Sequence, residues 1–267
     1  MVKTKIFVND ECKSVEKNIF ISNPDELKMI SPFACFVVGC TGSGKSVTVL
    51  KWLKNSEKVF KTKFTKIFYF YGSTYQSIFK HPKLSHITFT NDLKILDKLI
   101  QKTQKPPGIL IILDDLMDVT GESKIIQNLY TRGSHHLNIS IINIVQNIFF
   151  KAKYFVTLKE NSQYIFIKRH VNINKLKILA NAIGLEPKEL MDAYKESEFK
   201  NRFEGLLVDN HIASNIRKIC KIRDKLSGDV GLYITDQQFK FYCDKKVLQK
   251  INQHDYYLDF DKLKDVY

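Results

Sequence analysis

The sequence predicts an α/β fold: a P-loop NTPase three-layer sandwich with a mostly parallel central sheet and a small C-terminal appendage. Three observations carry this. Gly39-Cys40-Thr41-Gly42-Ser43-Gly44-Lys45-Ser46 matches the phosphate-cradling pattern G-x-x-x-x-G-K-S/T. The apolar run 33–38 before it reads as a buried parallel strand and 46–54 after it as a helix, which is the strand–loop–helix context the pattern requires. A second apolar run, 109–113, ends in paired carboxylates, Asp114 and Asp115.

The elements follow in chain order. Residues 1–31 form a short leading segment, with small strands at 6–8 and 19–21 and a helix start or turn at Asn23-Pro24-Asp25-Glu26. After the P-loop helix, 66–71 (KIFYFY) is an aromatic-rich strand and 87–90 (ITFT) a short one. Leu93, Leu96 and Ile100 are spaced as on a helix over 92–102, which Pro106-Pro107-Gly108 breaks. The strand 109–113 precedes a helix starting near Val119. Residues 140–145 (SIINIV) form a buried strand ending in Gln146-Asn147, and 163–168 (QYIFIK) the last core strand. Helices are expected at 172–183 and 186–194, and an added strand at 205–209 (GLLVD). The expected bounds are therefore a leading segment 1–31, an ATPase core 32–222 and a C-terminal extension 223–267. Two strands lie in sequence between the P-loop strand and the Asp-Asp strand. That is the additional-strand, RecA-like arrangement of ATPases that hydrolyse with a water.

The residue types specify chemistry. Backbone N–H groups of Gly39, Cys40, Thr41, Gly42, Ser43 and Gly44 would hold phosphate oxygens, and the helix that follows points its N-terminus at the anion. Lys45 would meet the β- and γ-phosphates of ATP, and Ser46 would offer its hydroxyl to Mg²⁺. Asp114, at the carboxyl end of its strand, can hold the same Mg²⁺ through water, while Asp115 can orient or deprotonate the attacking water. The pair could instead cap the next helix. Gln146 can sense the γ-phosphate or position water; alternatively its amide caps the strand end.

The net charge is +14, and residues 45–105 carry thirteen Lys against three acids. This fits a nucleic-acid partner, and equally a Lys-rich composition, since only five of the 42 cations are Arg. No 18-residue apolar run and no signal-peptide core are present, which points to a soluble intracellular protein with no membrane partner. Five cysteines without C-x-x-C pairing fit a reducing compartment. His135-His136 does not suggest a metal site: adjacent side chains do not share a helix face, and no partner stands at ligand spacing.

With these segments in place, the chain resembles the viral genome-packaging ATPases of the FtsK–HerA superfamily. Within them it is most like the poxvirus-type enzymes of Polinton/Maverick elements, adintoviruses and virophages. The P-loop, Tyr71-Gly72-Ser73-Thr74-Tyr75-Gln76, Ile112-Leu113-Asp114-Asp115-Leu116-Met117 and 203–209 contribute. More specific is Tyr130-Thr131-Arg132-Gly133-Ser134-His135-His136, followed by Val145-Gln146-Asn147-Ile148-Phe149. The resemblance covers roughly 30–220. It implies a homo-oligomeric ring, of hexamer type, with ATP at subunit junctions, pumping double-stranded DNA into a preformed capsid and contacting capsid or other virion proteins at the viral assembly site. By position it implies Lys45 and Ser46 on phosphate and Mg²⁺, Asp114 as the metal carboxylate, Asp115 as base and Gln146 as sensor. Arg132 becomes an arginine finger across the junction, with Arg169 as the alternative. Relatives often show an N-P-R-D-like segment where this chain has Lys168-Arg169-His170-Val171-Asn172. Two other classes compete: a P-loop nucleotide or nucleoside kinase, and a DNA-binding scaffold with a nucleotide switch. The first lacks an arginine-rich lid; the second does not need the intact Lys45, Ser46, Asp114, Asp115 set.

Overall fold

A computed structural model describes residues 2–10, 13–21, 23–72, 77–101, 108–133, 137–168, 172–196, 205–214, 221–224 and 230–264. The chain forms two compact units, Met29–Val171 and Met1–Lys28 with Asn172–Tyr267.

In the unit Met29–Val171, the strands are β3 (Ala34–Val38), β4 (Lys66–Tyr71), β5 (Ile87–Thr90), β6 (Ile109–Asp114), β7 (Ile139–Val145) and β8 (Tyr164–Ile167). They lie in the order β8-β3-β7-β6-β4-β5, every pair parallel. All residues of β3, β6, β7 and β8 are buried. That is why these strands read as near-continuous apolar runs rather than alternating ones, with Ser140 and Asn143 the polar exceptions within β7: a parallel sheet is covered on both faces.

Helices cover both faces. Val37 pairs with Phe166 across β3 and β8, so the two share a face, and Phe36 points the other way. Trp52, on α1 (Lys45–Lys54), meets the Phe166 ring at 4.9 Å. Tyr130 and Phe155 meet the Phe36 ring at 5.9 and 5.5 Å. Right-handed crossovers account for the sorting. The chain moves one way along the sheet from β3 to β4 through α1, then back through β6, β7 and β8, so the later helices fall on the opposite face. One strand, β7, separates the P-loop strand β3 from the Asp-Asp strand β6. The additional-strand arrangement is thus present, but the inserted strand comes later in the chain than β6, not between the two in sequence.

In the other unit the order is β12 (Leu248–Lys250), β13 (Asp255–Leu258), β2 (Lys13–Ile21), β1 (Val2–Asp10), β11 (Val230–Thr235), β10 (Lys221–Asp224), β9 (Gly205–Asp209). The N-terminal hairpin β1–β2 is inserted between β11 and β13, pairing with each in parallel. The unit bounds therefore differ from 1–31, 32–222 and 223–267. The two ends of the chain fold together, and the helices Ile173–Ala182 and Pro187–Glu196 belong with them. Pairings such as Ile6 with Leu232 span more than two hundred residues and leave no local signal.

Candidate functional site

The P-loop leaves the carboxyl end of β3 as expected. Gly39 N–H donates to Val145 O at 3.4 Å, tying the start of the loop to the end of β7. Gly39 has no room for a side chain: a Cβ there would stand 2.6 Å from Lys168 Cβ and 2.8 Å from Ser43 Oγ. Gly44 takes φ 81° and precedes α1 without any side-chain cap on its first N–H groups. A left-handed residue turns the chain into the helix, and glycine adopts it without steric cost. Lys45 Nζ donates to Cys40 O at 2.9 Å. Ser43 Oγ is buried with no hydrogen-bond partner.

Parallel pairing brings the second half of the site alongside. Asp114 ends β6 opposite Ile144 of β7, and Val145 is opposite Val38 of β3. Gln146, one residue on and exposed, therefore stands between the P-loop and the two carboxylates. Asp114 is 6% exposed and accepts a hydrogen bond from Tyr69 Oη at 2.6 Å. Burial pushes its carboxyl above the usual range; hydrogen bonds from Tyr69 and Ser46 and the Lys45 ammonium work the other way, while Asp115 adds to the rise. Burial likewise lowers Lys45, against the pull of Asp114, Cys40 and Asp115. Asp115 is exposed and takes φ 57°. Aspartate tolerates that region better than most residues, and such strain concentrates at functional sites. The neighbouring strand makes room for the turn: Gly72 N–H donates to Asp114 O at 2.9 Å, and a Cβ on Gly72 would fall 2.1 Å from Asp115 O.

Lys45, Ser46, Asp114, Asp115 and Gln146 are thus gathered at one end of the sheet. Arg132 lies in the short π-helix Leu129–Gly133, and only its backbone is described. Arg169, His135 and His136 lie outside the described residues, as do Ser73-Thr74-Tyr75-Gln76. Among the described residues, no cluster of three or more His, Cys, Asp or Glu could hold a metal ion. The Ser46–Asp114 contact does fit Mg²⁺. It offers two hard oxygen donors, one a carboxylate whose burial would be offset by a cation, and Mg²⁺ takes few protein ligands beside substrate phosphates.

Two residues of the site were not singled out by sequence. Tyr69 sits within an aromatic strand where Phe and Tyr look alike; the signal was that a buried Tyr hydroxyl needs a partner. Lys168 is fully buried at the end of β8, with its Nζ 3.3 Å from Thr48 Oγ1, which itself bonds Gly44 O at 2.9 Å. A lysine leaving an apolar strand reads as a surface residue, so nothing pointed to it.

Tyr69 holds the Asp114 carboxylate from β4, the strand beside β6. Tyr69→Phe keeps the ring packed on Phe79 and Phe89, both at 5.3 Å, and removes one charge-assisted donor. Half-saturating Mg²⁺ for ATP turnover is expected to rise by about 10-fold or more, the usual effect of losing a ligand's hydrogen-bond partner. An unchanged Mg²⁺ titration would remove Tyr69 from the site.

The family model described as "Poxvirus A32 protein" matches residues 24–240. No curated protein matches the chain. Among solved structures, the genome packaging NTPase B204 from Sulfolobus turreted icosahedral virus 2, in complex with ATP-gammaS, is 15% identical. It covers 76% of this chain and 98% of its own, with a TM-score of 0.49. The DNA-packaging ATPase B204 from Sulfolobus turreted icosahedral virus is 13% identical over 68% of this chain and 94% of its own, TM-score 0.46. EssC (ATPases 2 and 3) from Geobacillus thermodenitrificans is 13% identical over 95% of this chain and 46% of its own, TM-score 0.45. The family match carries the assignment; these likenesses add nothing to it.

Proposed function

The chain belongs to the poxvirus A32 protein family of viral packaging ATPases, and from that premise we propose that it spends ATP to drive double-stranded DNA into a preformed capsid. The observation that carries the chemistry is the convergence of Lys45, Ser46, Asp114, Asp115 and Gln146 at the carboxyl ends of β3, β6 and β7. ATP would lie with its phosphates on residues 39–46, its γ-phosphate against Lys45. Ser46 and Asp114 would hold Mg²⁺, which when bound neutralises charge on the β- and γ-phosphate oxygens. Asp115 faces solvent and would accept a proton from, or orient, the attacking water. Gln146 would register the γ-phosphate.

Arg132, or Arg169, would complete the site from a neighbouring subunit of a homo-oligomeric ring, of hexamer type. Capsid or other virion proteins would be the remaining partners, at the assembly site within the host cell. Among the described residues, no helix is long and apolar enough to cross a membrane.

ATP turnover by the purified full chain should rise when duplex DNA is added. Turnover indifferent to DNA but triggered by a nucleoside or nucleoside monophosphate would instead mark a small-molecule kinase.

A further inference from the structure

Beyond Gln146 the chain builds a cavity of about 560 Å³, lined among others by Glu122, Phe149, Lys151, Lys153, Val156 and Lys159. Lys151 and Lys153 are exposed and Lys159 is half-buried. The Lys159 ammonium lies 5.0 Å over the Phe149 ring, and burial lowers its pKa, with Glu160 acting the other way. Glu122 is the one carboxylate of the lining, and its Oε1 accepts the Lys153 backbone N–H at 3.0 Å. Three cations therefore face the cavity against one engaged anion.

Two of the cavity's walls are continuous with the ATP site, and the third, the helix Phe155–Glu160, supplies Val156 and Lys159. Of the first two, one is the helix Met117–Glu122, which starts two residues after Asp115; the other is the segment 147–153, which leaves Gln146. They are locked together: Tyr154 N–H donates to Gly121 O at 2.9 Å, and a Cβ on Gly121 would stand 2.4 Å from Ala152 Cβ. Buried Ile148 anchors the second wall beside Gln146. A change at either catalytic residue has a short, packed route to the lysines.

We propose that this cavity grips the phosphate backbone of duplex DNA through Lys151, Lys153 and Lys159. The inference rests on the DNA-translocase reading above and assigns that reading a contact surface. Charge complementarity favours a polyanion, and the aliphatic and aromatic lining gives the lysine stems a surface to pack on. Non-specific contacts of this kind release counterions, about 0.9 per phosphate neutralised.

The test compares the full-length wild type with Lys151→Gln/Lys153→Gln/Lys159→Gln. A charge-matched control, Lys177→Gln/Lys188→Gln/Lys250→Gln, changes exposed lysines elsewhere. Duplex affinity is measured across a salt series, and ATP turnover with and without DNA. The cavity variant is expected to lose most DNA stimulation, with its log–log salt slope shallower by about 3, while the control keeps both. If the triple variant does not fold, Lys151→Gln/Lys153→Gln alters only exposed side chains and should lower the slope by about 2. A wild type that responds to DNA and a cavity variant that matches it would overturn this surface while leaving the translocase intact. A raised KM for ATP in the absence of DNA would also overturn it, assigning the lysines to the nucleotide. A wild type that neither binds nor responds to duplex sinks both readings.

Discussion

Lys45→Ala is expected to abolish ATP turnover while the protein still folds. In the proposed mechanism the ammonium meets charge that develops on the transferred phosphoryl group. Removing one such preorganised donor costs about 10²–10³ in rate, and loss of the charge in a phosphate loop should sit at or beyond the top of that range. The fold has little reason to fail. α1 is held by Thr48, Val49, Leu50, Trp52 and Leu53, all buried, and alanine is a better helix former than lysine. The hydrogen bond lost, from Nζ to Cys40 O, belongs to a half-buried group. Turnover by phosphate release and folding by circular dichroism, read on the same sample, separate the two effects. A folded variant with wild-type turnover would show that the loop at 39–46 is not the hydrolytic site.

Arg132→Ala and Asp115→Ala should each be inactive alone and regain activity when mixed before assembly. An arginine finger is worth about 10³–10⁵ in rate, so Arg132→Ala loses nearly everything, while Asp115→Ala removes the carboxylate proposed to activate the water. In a randomly mixed ring, a junction is complete when an Arg132→Ala subunit supplies Asp115 and its neighbour, an Asp115→Ala subunit, supplies Arg132. Equal mixing makes about one quarter of the junctions complete whatever the ring size, since each heterologous contact joins two different faces. Recovery toward that fraction places the finger in trans. No recovery, with rings still formed, would remove Arg132 from that role and turn attention to Arg169.

Lys45 and Asp115 are legible in the linear chain, and the reason is spacing, whereas Arg132 is named only through the family resemblance. A phosphate loop needs its glycines, lysine and hydroxyl within eight residues, and a strand buried on both faces must be apolar throughout before it ends in a carboxylate. Short-range steric and solvation rules write such features locally, so Lys45, Ser46, Asp114 and Gln146 could be placed with the strands that carry them. What Tyr69, Gly72 and Lys168 do at the site was not legible there. Their roles depend on which strand lies beside which, and only the sheet shows Tyr69 reaching Asp114 from β4, or the Gly72 backbone against Asp115.

The same division holds for the fold. Sequence alone determined that the core is α/β with a parallel sheet, because continuous apolar strands alternating with helical spacing leave few other solutions. The tertiary structure alone decided that β7 stands between β3 and β6, and that the N-terminal hairpin joins β11 and β13 rather than leading into the ATPase core. Strand order is set by long-range hydrogen bonding and by the hand of the crossovers, and these act between residues that the chain itself keeps far apart.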